Sequence, residues 1–480
     1  MPLKKKTAHG SLWNLLRTLS INGIDFVVYA LLARVLTIED FALLIFCLLI
    51  IEFANVFPYV GVGQNLIQRK EWDREFASST FTFMALFGLG ISLLVAVIGT
   101  SAGYYLHSQQ AAYVILALSI IPFLVGLQSV LSAKLEREFK QAEITLISAS
   151  STIVSGVIAI LLVLNGAGLW SLVVQKVFHH MLLLTLLAIK ANFTPQLLIQ
   201  KEHVNELVSF CLPLLWVSIL SYVNRKANNF YAAFILGANA FAIISIAKKG
   251  QEVLTQSTLF PIDKMVVPSL SRVANENKVS AFYRLLELTS YIVIPCFLGL
   301  GAVASQFIGI AFGDNFLSSA NLLLISTSAI IAQILVCFLP NLLISLAQTR
   351  IALKLNVIDV LMTLIVGGIS VNFGLEVMLI ALVATSYLIV PFKVRIVAKY
   401  LPIKLFEMIK LIFPASAASL IMVFTIYIID LSIERSGIHD FIELLCLVII
   451  GVISYLLALL MFFRGKTLTK LASIKDLFKK

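Results

Sequence analysis

The chain has 480 residues, of which 60% are hydrophobic and 13% are charged, and its mean hydropathy is +0.99. This composition excludes an ordinary soluble domain. The net charge of +11 is spread between apolar segments, so it indicates membrane topology and attraction to anionic headgroups rather than nucleic-acid binding. The five cysteines lie inside apolar segments without metal-ligand spacing, which argues against a disulfide framework.

Fourteen apolar segments follow one another along the chain, and each is long enough for the ~20 helical residues that cross a bilayer core. They cover approximately residues 11–36, 41–66, 76–104, 111–133, 143–165, 167–190, 205–236, 238–263, 281–312, 317–346, 351–373, 374–400, 406–430 and 441–463. The sequence therefore predicts an all-α polytopic membrane protein with about 14 transmembrane helices.

Basic residues are confined to alternate connections between these segments. The N-terminus, every second connection and the C-terminal tail carry the Lys and Arg residues of the loops, whereas the intervening connections carry Arg435 alone. Positively charged loops stay in the cytoplasm. We therefore predict that both termini are cytoplasmic and that the number of spans is even.

Three short similarities, offset by 200 to 211 residues, indicate an internal duplication. The matched segments are Ala33–Leu36 with Ala233–Leu236, Gly168–Leu172 with Gly374–Met378, and Gly88–Gly90 with Gly299–Gly301. Because the repeated unit holds six helices, we expect two parallel six-helix lobes, related by a pseudo-two-fold axis along the membrane normal. The predicted parts are an N-lobe (1–200), a C-lobe (201–400), and a C-terminal helix pair with a cytoplasmic tail (401–480).

The connections are too short to hold a soluble catalytic domain, since the longest cover only about residues 191–204 and 264–280. The sequence contains no Walker-type phosphate loop, no His-Glu-x-x-His zinc motif and no Ser-centred elbow. We therefore predict that the protein is not an enzyme and has no catalytic residues, no metal site and no cofactor.

Ionisable residues within the segments are the candidates for function, because each costs at least about 2.5–3.5 kcal/mol at the bilayer centre unless it faces protein or water. The first, second, seventh and eighth segments carry polar side chains at helical spacing. We expect the stripes of the first and seventh helices to face each other across a water-filled cavity. Candidate substrate-binding cations are Arg17, Arg34, Arg225, Lys226, Lys248 and Lys249, and candidate coupling acids are Asp25, Glu52 and Glu252.

An excess of cations over acids favours an anionic substrate, for which phosphate or pyrophosphate is the natural choice. Other interpretations stay open for individual residues. Arg34 could be an interfacial anchor, and Lys249 and Glu252 could neutralise each other. We expect Asp25 to pair with a cation of the seventh or eighth helix in one state, or else to satisfy a neighbouring Asn or Tyr. Snorkelling or local pairing explains the remaining intramembrane charges better than function does; they are Lys176, Glu287, Lys354 and Asp359.

Several loop and helix-end motifs together resemble the polysaccharide transport family, the oligosaccharide-lipid flippases of the multidrug/oligosaccharidyl-lipid/polysaccharide exporter superfamily. These motifs are Gly10–Trp13, Leu32–Leu36, Glu39–Ala42, Gly61, Leu66–Arg69, Ala133–Lys140, Val267–Arg272, Phe312–Phe316 and Ser319–Ala320. The resemblance covers about the first two-thirds of the chain, and the last third is similar by hydropathy only. Asn228 and Asn229 depart from it, because many relatives carry an acidic residue there.

The resemblance implies a two-lobed bundle in the bacterial inner membrane that opens alternately to cytoplasm and periplasm. Its substrate would be undecaprenyl-diphosphate-linked oligosaccharide, moved to the periplasmic leaflet for synthesis of O-antigen, capsule or exopolysaccharide. The lipid bilayer is a further partner, and nucleic acid is not expected. Coupling to H⁺ or Na⁺ and association with a polysaccharide polymerase are left open.

Three alternatives remain at this point. A peptidoglycan-precursor flippase and a multidrug exporter of the same superfamily would share the fold, although a drug exporter should have an acidic or aromatic cavity. A polysaccharide polymerase or ligase belongs to another class, and it should carry a long outer loop.

Overall fold

The computed structural model describes residues 22–69, 71–105, 108–433 and 440–478, and within these ranges the chain forms helices and no strand. The prediction of an all-α protein is confirmed. In chain order the helices are α1 (22–35), α2 (Ile38–Tyr59), α3 (Val62–Gln68), α4 (Arg74–Tyr105), α5 (Gln109–Leu118), α6 (Ile121–Arg137), α7 (Gln141–Leu164), α8 (Trp170–Ala191), α9 (Lys201–Tyr231), α10 (Ala238–Leu254), α11 (Phe260–Ser271), α12 (Lys278–Ala302), α13 (Ala304–Phe312), α14 (Ser319–Ser328), α15 (Ile330–Cys337), α16 (Leu339–Ser345), α17 (Thr349–Ser370), α18 (Leu375–Val397), α19 (Leu405–Ile433) and α20 (Asp440–Phe478).

The described ranges contain eleven helical spans that are long and apolar enough to cross a membrane. Helix α14 and the following stretch 330–345, bent against each other by 42°, would form a twelfth span. The prediction of a multi-pass membrane protein is therefore confirmed, while the count of 14 stays a prediction. The first predicted span lies partly outside the described residues. The eighth corresponds to α10, whose apolar character is reduced by Lys248, Lys249 and Glu252.

The first compact unit, Met1–Ala233 with Gly237–Ala242, contains α1 to α9. Its core forms where α6 packs against α2, α4 and α8. Gly126 allows a close approach, because a Cβ atom at this position would lie 2.9 Å from the backbone oxygen of Met84 on α4. In a bilayer such helix contacts depend on close packing, since lipid tails are as apolar as the buried side chains.

Two basic side chains satisfy carbonyl groups at the ends of helices in this unit. Arg137 donates hydrogen bonds to the carbonyl oxygens of Leu66 (3.1 Å) and Arg69 (2.6 Å), at the end of α3. Lys134 donates to the carbonyl oxygen of Ala191 (2.6 Å), at the end of α8. The last turn of a helix leaves its carbonyls without intrahelical partners, so these three bonds attach α3 and α8 to α6.

The second compact unit, Phe234–Leu236 with Ile243–Lys480, contains α10 from Ile243 onward and α11 to α20. Helix α12 packs against α19, and α19 packs against α20. The buried side chains of Phe282, Phe297, Phe338 and Met408 belong to its largest apolar cluster.

These two units do not follow the predicted boundaries at 200 and 400. Helix α9 packs against α2, α3 and α4 and therefore belongs to the first unit, and α19 and α20 belong to the second. The predicted division rests on the sequence repeat and stays a prediction, with parts 1–200, 201–400 and 401–480. A sequence repeat groups helices by similarity, whereas the compact units group them by packing contacts.

Candidate functional site

A cavity of about 520 Å³ lies between α2 and α9 in the first compact unit, and we call it the α2–α9 cavity. Its lining residues follow helical spacing on each helix, so one face of each helix is turned to the cavity. They are Glu52, Asn55, Val56, Tyr59 and Val60 at the α2 side, Ser218, Ser221, Tyr222 and Arg225 of α9, and Val125 of α6. The polar stripes that the sequence placed in the second and seventh segments therefore lie together.

Two features position α2 against α9. The Tyr222 hydroxyl donates a hydrogen bond of 2.8 Å to the carbonyl oxygen of Leu49, and the Tyr222 ring lies 5.5 Å from the ring of Phe53. Gly61 has a positive φ of 82°, which lets the chain turn from α2 into α3. A Cβ atom there would lie 2.8 Å from Sγ of Cys211 on α9, so glycine is required for both the turn and the close approach.

One ion pair crosses from α9 to α2 at the cavity. Lys226 Nζ lies 2.9 Å from Glu52 Oε2, and the side chains are 25% and 51% exposed. Arg225, the next residue, is exposed at the cavity wall and makes no hydrogen bond or ion pair with any described residue. One carboxylate therefore faces two cations, and the cavity keeps a local excess of positive charge that suits an anionic group.

The uncharged polar groups of the cavity fall into two sets. The hydroxyls of Tyr222 and Ser221 are occupied, because Ser221 donates to the carbonyl oxygen of Val217 at 2.8 Å. Asn55 differs, since its side-chain oxygen is buried and has no hydrogen-bond partner. Most buried side-chain acceptors have a hydrogen-bond partner, and the described residues contain several others like this one, among them the side-chain oxygens of Asn224 and Asn228.

Asp25 of α1 takes part in a different contact from the expected one. Its carboxylate accepts hydrogen bonds from Lys176 Nζ at 3.0 Å and from Gln175 Nε2 at 3.3 Å, both on α8. In this structure the cation is on the sixth predicted span, not on the seventh or eighth. Lys176 was assigned to snorkelling or local pairing, and the pairing is what the structure shows. No signal in the sequence connects residues 150 positions apart, so this partner was missed.

The remaining predicted site residues are distributed over both units. In the second unit, Lys249 and Glu252 lie 3.9 Å apart on α10, so the interpretation that they neutralise each other stays open. Lys248 is half-buried on the same helix. Arg34 is exposed near the end of α1. Arg17 lies outside the described residues. The first unit therefore brings together Glu52, Arg225 and Lys226, and its cavity receives no lining residue from the described part of α1.

A protein-family model described as "Polysaccharide biosynthesis protein" matches residues 31–321, which is more than half of the chain. The chain belongs to this family. The curated relatives of this family member include the lipopolysaccharide biosynthesis protein WzxC of Escherichia coli (strain K12), 24% identical over 407 residues, with coverage of 81% of this chain and 82% of the relative. The succinoglycan biosynthesis transport protein ExoT of Rhizobium meliloti (strain 1021) is 23% identical over 307 residues, with 63% and 62% covered.

The fold of this polysaccharide biosynthesis protein is also that of a solved transporter. Lipid II flippase MurJ in an inward closed conformation superposes with a TM-score of 0.71 and covers 96% of this chain and 98% of its own, at 16% identity. The resemblance to a family of polysaccharide transport proteins is confirmed. The prediction of a membrane transport protein rather than an enzyme is also confirmed, because the matching family and relatives are named for polysaccharide biosynthesis and transport.

Proposed function

We propose that this family member is a flippase for undecaprenyl-diphosphate-linked oligosaccharide. It carries the substrate from the cytoplasmic to the periplasmic leaflet of the bacterial inner membrane, with both of its own termini in the cytoplasm. The product serves synthesis of a surface polysaccharide such as O-antigen, capsule or exopolysaccharide. The observation that carries this proposal is Arg225, a cation in the polar α2–α9 cavity of a polysaccharide biosynthesis protein that makes no hydrogen bond or ion pair with any described residue.

A diphosphate explains why an arginine stands at this place. The guanidinium offers planar, paired donors that match two phosphate oxygens. A charged side chain within a membrane-spanning helix is costly, and a neutral residue would serve simple packing at lower cost. A multidrug exporter that takes cations would instead require an acidic wall, but the one carboxylate lining the described cavity is Glu52, which Lys226 neutralises.

In the proposed mechanism, alternating access uses an ion pair at the cavity that the substrate can replace. An arriving diphosphate competes with Glu52 for Lys226, so it binds one arrangement of α2 and α9 better than the other. Such a difference in affinity is what a ligand needs to shift a conformational equilibrium. Arg34, Lys248 and Lys249 are further candidate cations on the route, and Arg17 is proposed with them from the sequence alone. The candidate coupling acids are Asp25, Glu52 and Glu252, with H⁺ or Na⁺ as the coupling ion.

Translocation in vesicles tests the proposal directly. The purified full chain is reconstituted into liposomes with fluorescent undecaprenyl-diphosphate-linked oligosaccharide, and the fraction of lipid reached by an impermeant quencher is followed over time. We expect faster exchange than in protein-free liposomes. Lipid II and a cationic dye are run in parallel as substrates of the two alternative functions. Transport of either one in place of the oligosaccharide lipid would contradict the proposal.

The Asp25–Lys176 pair gives a prediction about coupling. Asp25→Asn leaves Lys176 without its carboxylate, so the state that this pair stabilises should become less populated, and turnover should slow several-fold while substrate binding persists. The measurement is the vesicle flux with an imposed proton or sodium gradient. Asp314→Asn, which removes an exposed acid outside the candidate set, is the matched control. A parental flux of Asp25→Asn under both gradients would leave the pair with a structural role only.

A further inference from the structure

A histidine, His180, lies at the middle of α8 in the first compact unit, and its side chain is half-buried. An ionisable residue inside a membrane-spanning helix is a candidate functional residue, because its charged form is costly there. Histidine is also the side chain whose charge ordinarily changes between about pH 5 and 8. The contacts of His180 therefore decide whether it can bind and release a proton during transport.

One glutamine fixes the orientation of the His180 ring. Gln128 of α6 is buried, and its Nε2 donates a hydrogen bond of 2.7 Å to the backbone carbonyl oxygen of His180. The other amide atom, Oε1, lies 3.3 Å from His180 Nδ1 and can only accept, so Nδ1 carries the hydrogen in this pair. His180 Nε2 then keeps its lone pair and makes no hydrogen bond with any described residue. A proton can therefore bind at Nε2 without breaking the contact with Gln128.

The surroundings of His180 keep its ring neutral in the arrangement that the structure shows. The charged and titratable groups acting on the ring are His179 and Lys176 of α8 and Asp25 of α1. Helices α5, α6 and α7 also pack against α8, and within the described residues they add no charged group to this set. Lys176 lies one turn before His180, about 6 Å along the axis, and its ammonium contacts Asp25 at 3.0 Å. Burial disfavours a charged ring, and a second cation beside Lys176 is unfavourable while the carboxylate is already paired.

We propose that His180 is the proton-binding residue of the transport cycle, and that H⁺ is the coupling ion. This inference rests on the proposed function and adds a residue outside the candidate coupling acids. Proton uptake forms an N–H bond at His180 Nε2, and the imidazolium repels the Lys176 ammonium and attracts the Asp25 carboxylate. The Lys176–Asp25 pair is thereby weakened, and the proton leaves to the opposite side of the membrane when this pair forms again. Because the two arrangements bind the proton with different affinities, the proton shifts the conformational equilibrium.

The steady-state distribution of the lipid between the two leaflets tests this coupling, whichever way the protein is oriented in the liposomes. The purified full chain is reconstituted with fluorescent undecaprenyl-diphosphate-linked oligosaccharide, and the membrane potential is clamped at zero. A gradient of about one pH unit should produce about tenfold asymmetry of the lipid, since exchange of one proton per lipid converts the proton ratio into an equal lipid ratio. Without a gradient, or with a sodium gradient alone, both leaflets should become equally labelled.

Two adjacent histidines on α8 provide the variant and its matched control. His180→Gln should lose the asymmetry but still equalise the lipid between the leaflets, because glutamine can donate to Gln128 but cannot take up the proton. His179→Gln, at the neighbouring position, should keep the asymmetry. Gln128→Met removes the acceptor of the Nδ1 hydrogen, so it should reduce the asymmetry while exchange of the lipid persists.

The outcomes separate this inference from the proposed function. An undiminished asymmetry in His180→Gln would overturn the proton site, and if that variant does not reach the membrane in folded form, an undiminished asymmetry in Gln128→Met would do so. Equal labelling of the leaflets by the parent under the pH gradient would overturn it too, while the flippase proposal would stand. Failure of the parent to exchange the lipid under any condition would contradict the flippase proposal itself.

Discussion

Arg225→Ala is expected to reduce transport of the diphosphate-linked lipid by about 10- to 150-fold, since a hydrogen bond to a charged group contributes about 1.5–3 kcal/mol and each 1.4 kcal/mol is a factor of ten. The side chain makes no hydrogen bond or ion pair with a described residue, so its removal breaks no such bond in the described part of the fold. The amount of protein in the membrane should therefore stay near the parental level. Flux in liposomes and quantitative immunoblotting of the membrane fraction measure the two quantities.

Two further variants show whether the loss of transport in Arg225→Ala is caused by removing the paired hydrogen-bond donors of the guanidinium group. Arg225→Lys keeps the charge but not the planar fork, and it should retain an intermediate rate. Arg350→Ala removes an exposed arginine at the start of α17, outside the cavity, and should transport like the parent. A parental rate of Arg225→Ala would remove the anion site from this cavity, and equal loss in Arg350→Ala would point to a general effect of surface charge.

Much of the fold was predictable because a bilayer constrains a chain strongly. The apolar segments had to become helices, since no other backbone arrangement of a short segment satisfies its own hydrogen bonds in lipid. Breaks inside the segments were harder to place. The turn at Gly61 and the bend after α14 lie inside the apolar segments 41–66 and 317–346, and a hydropathy pattern does not record them.

The candidate site shows more clearly that contacts between helices cannot be predicted from the pattern within one segment. Helical spacing identified polar stripes on the second and seventh segments, and these form the α2–α9 cavity. Which stripes would meet was not encoded locally, and the first and seventh were expected to face each other. The partner of Asp25 was missed for the same reason, because Lys176 lies far away in the sequence. Spacing within one helix assigns a face, but contacts between helices depend on the whole packing arrangement.

The Glu52–Lys226 pair leads to a prediction in which the two partners have opposite effects. Glu52→Gln removes the carboxylate that Lys226 contacts and makes the cavity more positive, so affinity for undecaprenyl diphosphate should rise. Lys226→Gln leaves the Glu52 carboxylate to repel the diphosphate, so affinity should fall. Because the side chains are 25% and 51% exposed, water screens the interaction, and each change should amount to about 1 kcal/mol, or about fivefold.

The double variant Glu52→Gln/Lys226→Gln separates this electrostatic role from a structural one. With both charges removed, the local balance equals that of the parent, and affinity should return to within about twofold, since the two single effects of about 1 kcal/mol have opposite signs. Titration of the detergent-purified variants with undecaprenyl diphosphate gives the affinities, and a thermal melt of each variant gives its stability. If the pair only fastened α2 to α9, both single variants would lose affinity and stability in the same direction. Turnover should also fall in Glu52→Gln, because a substrate that is bound more tightly is released more slowly.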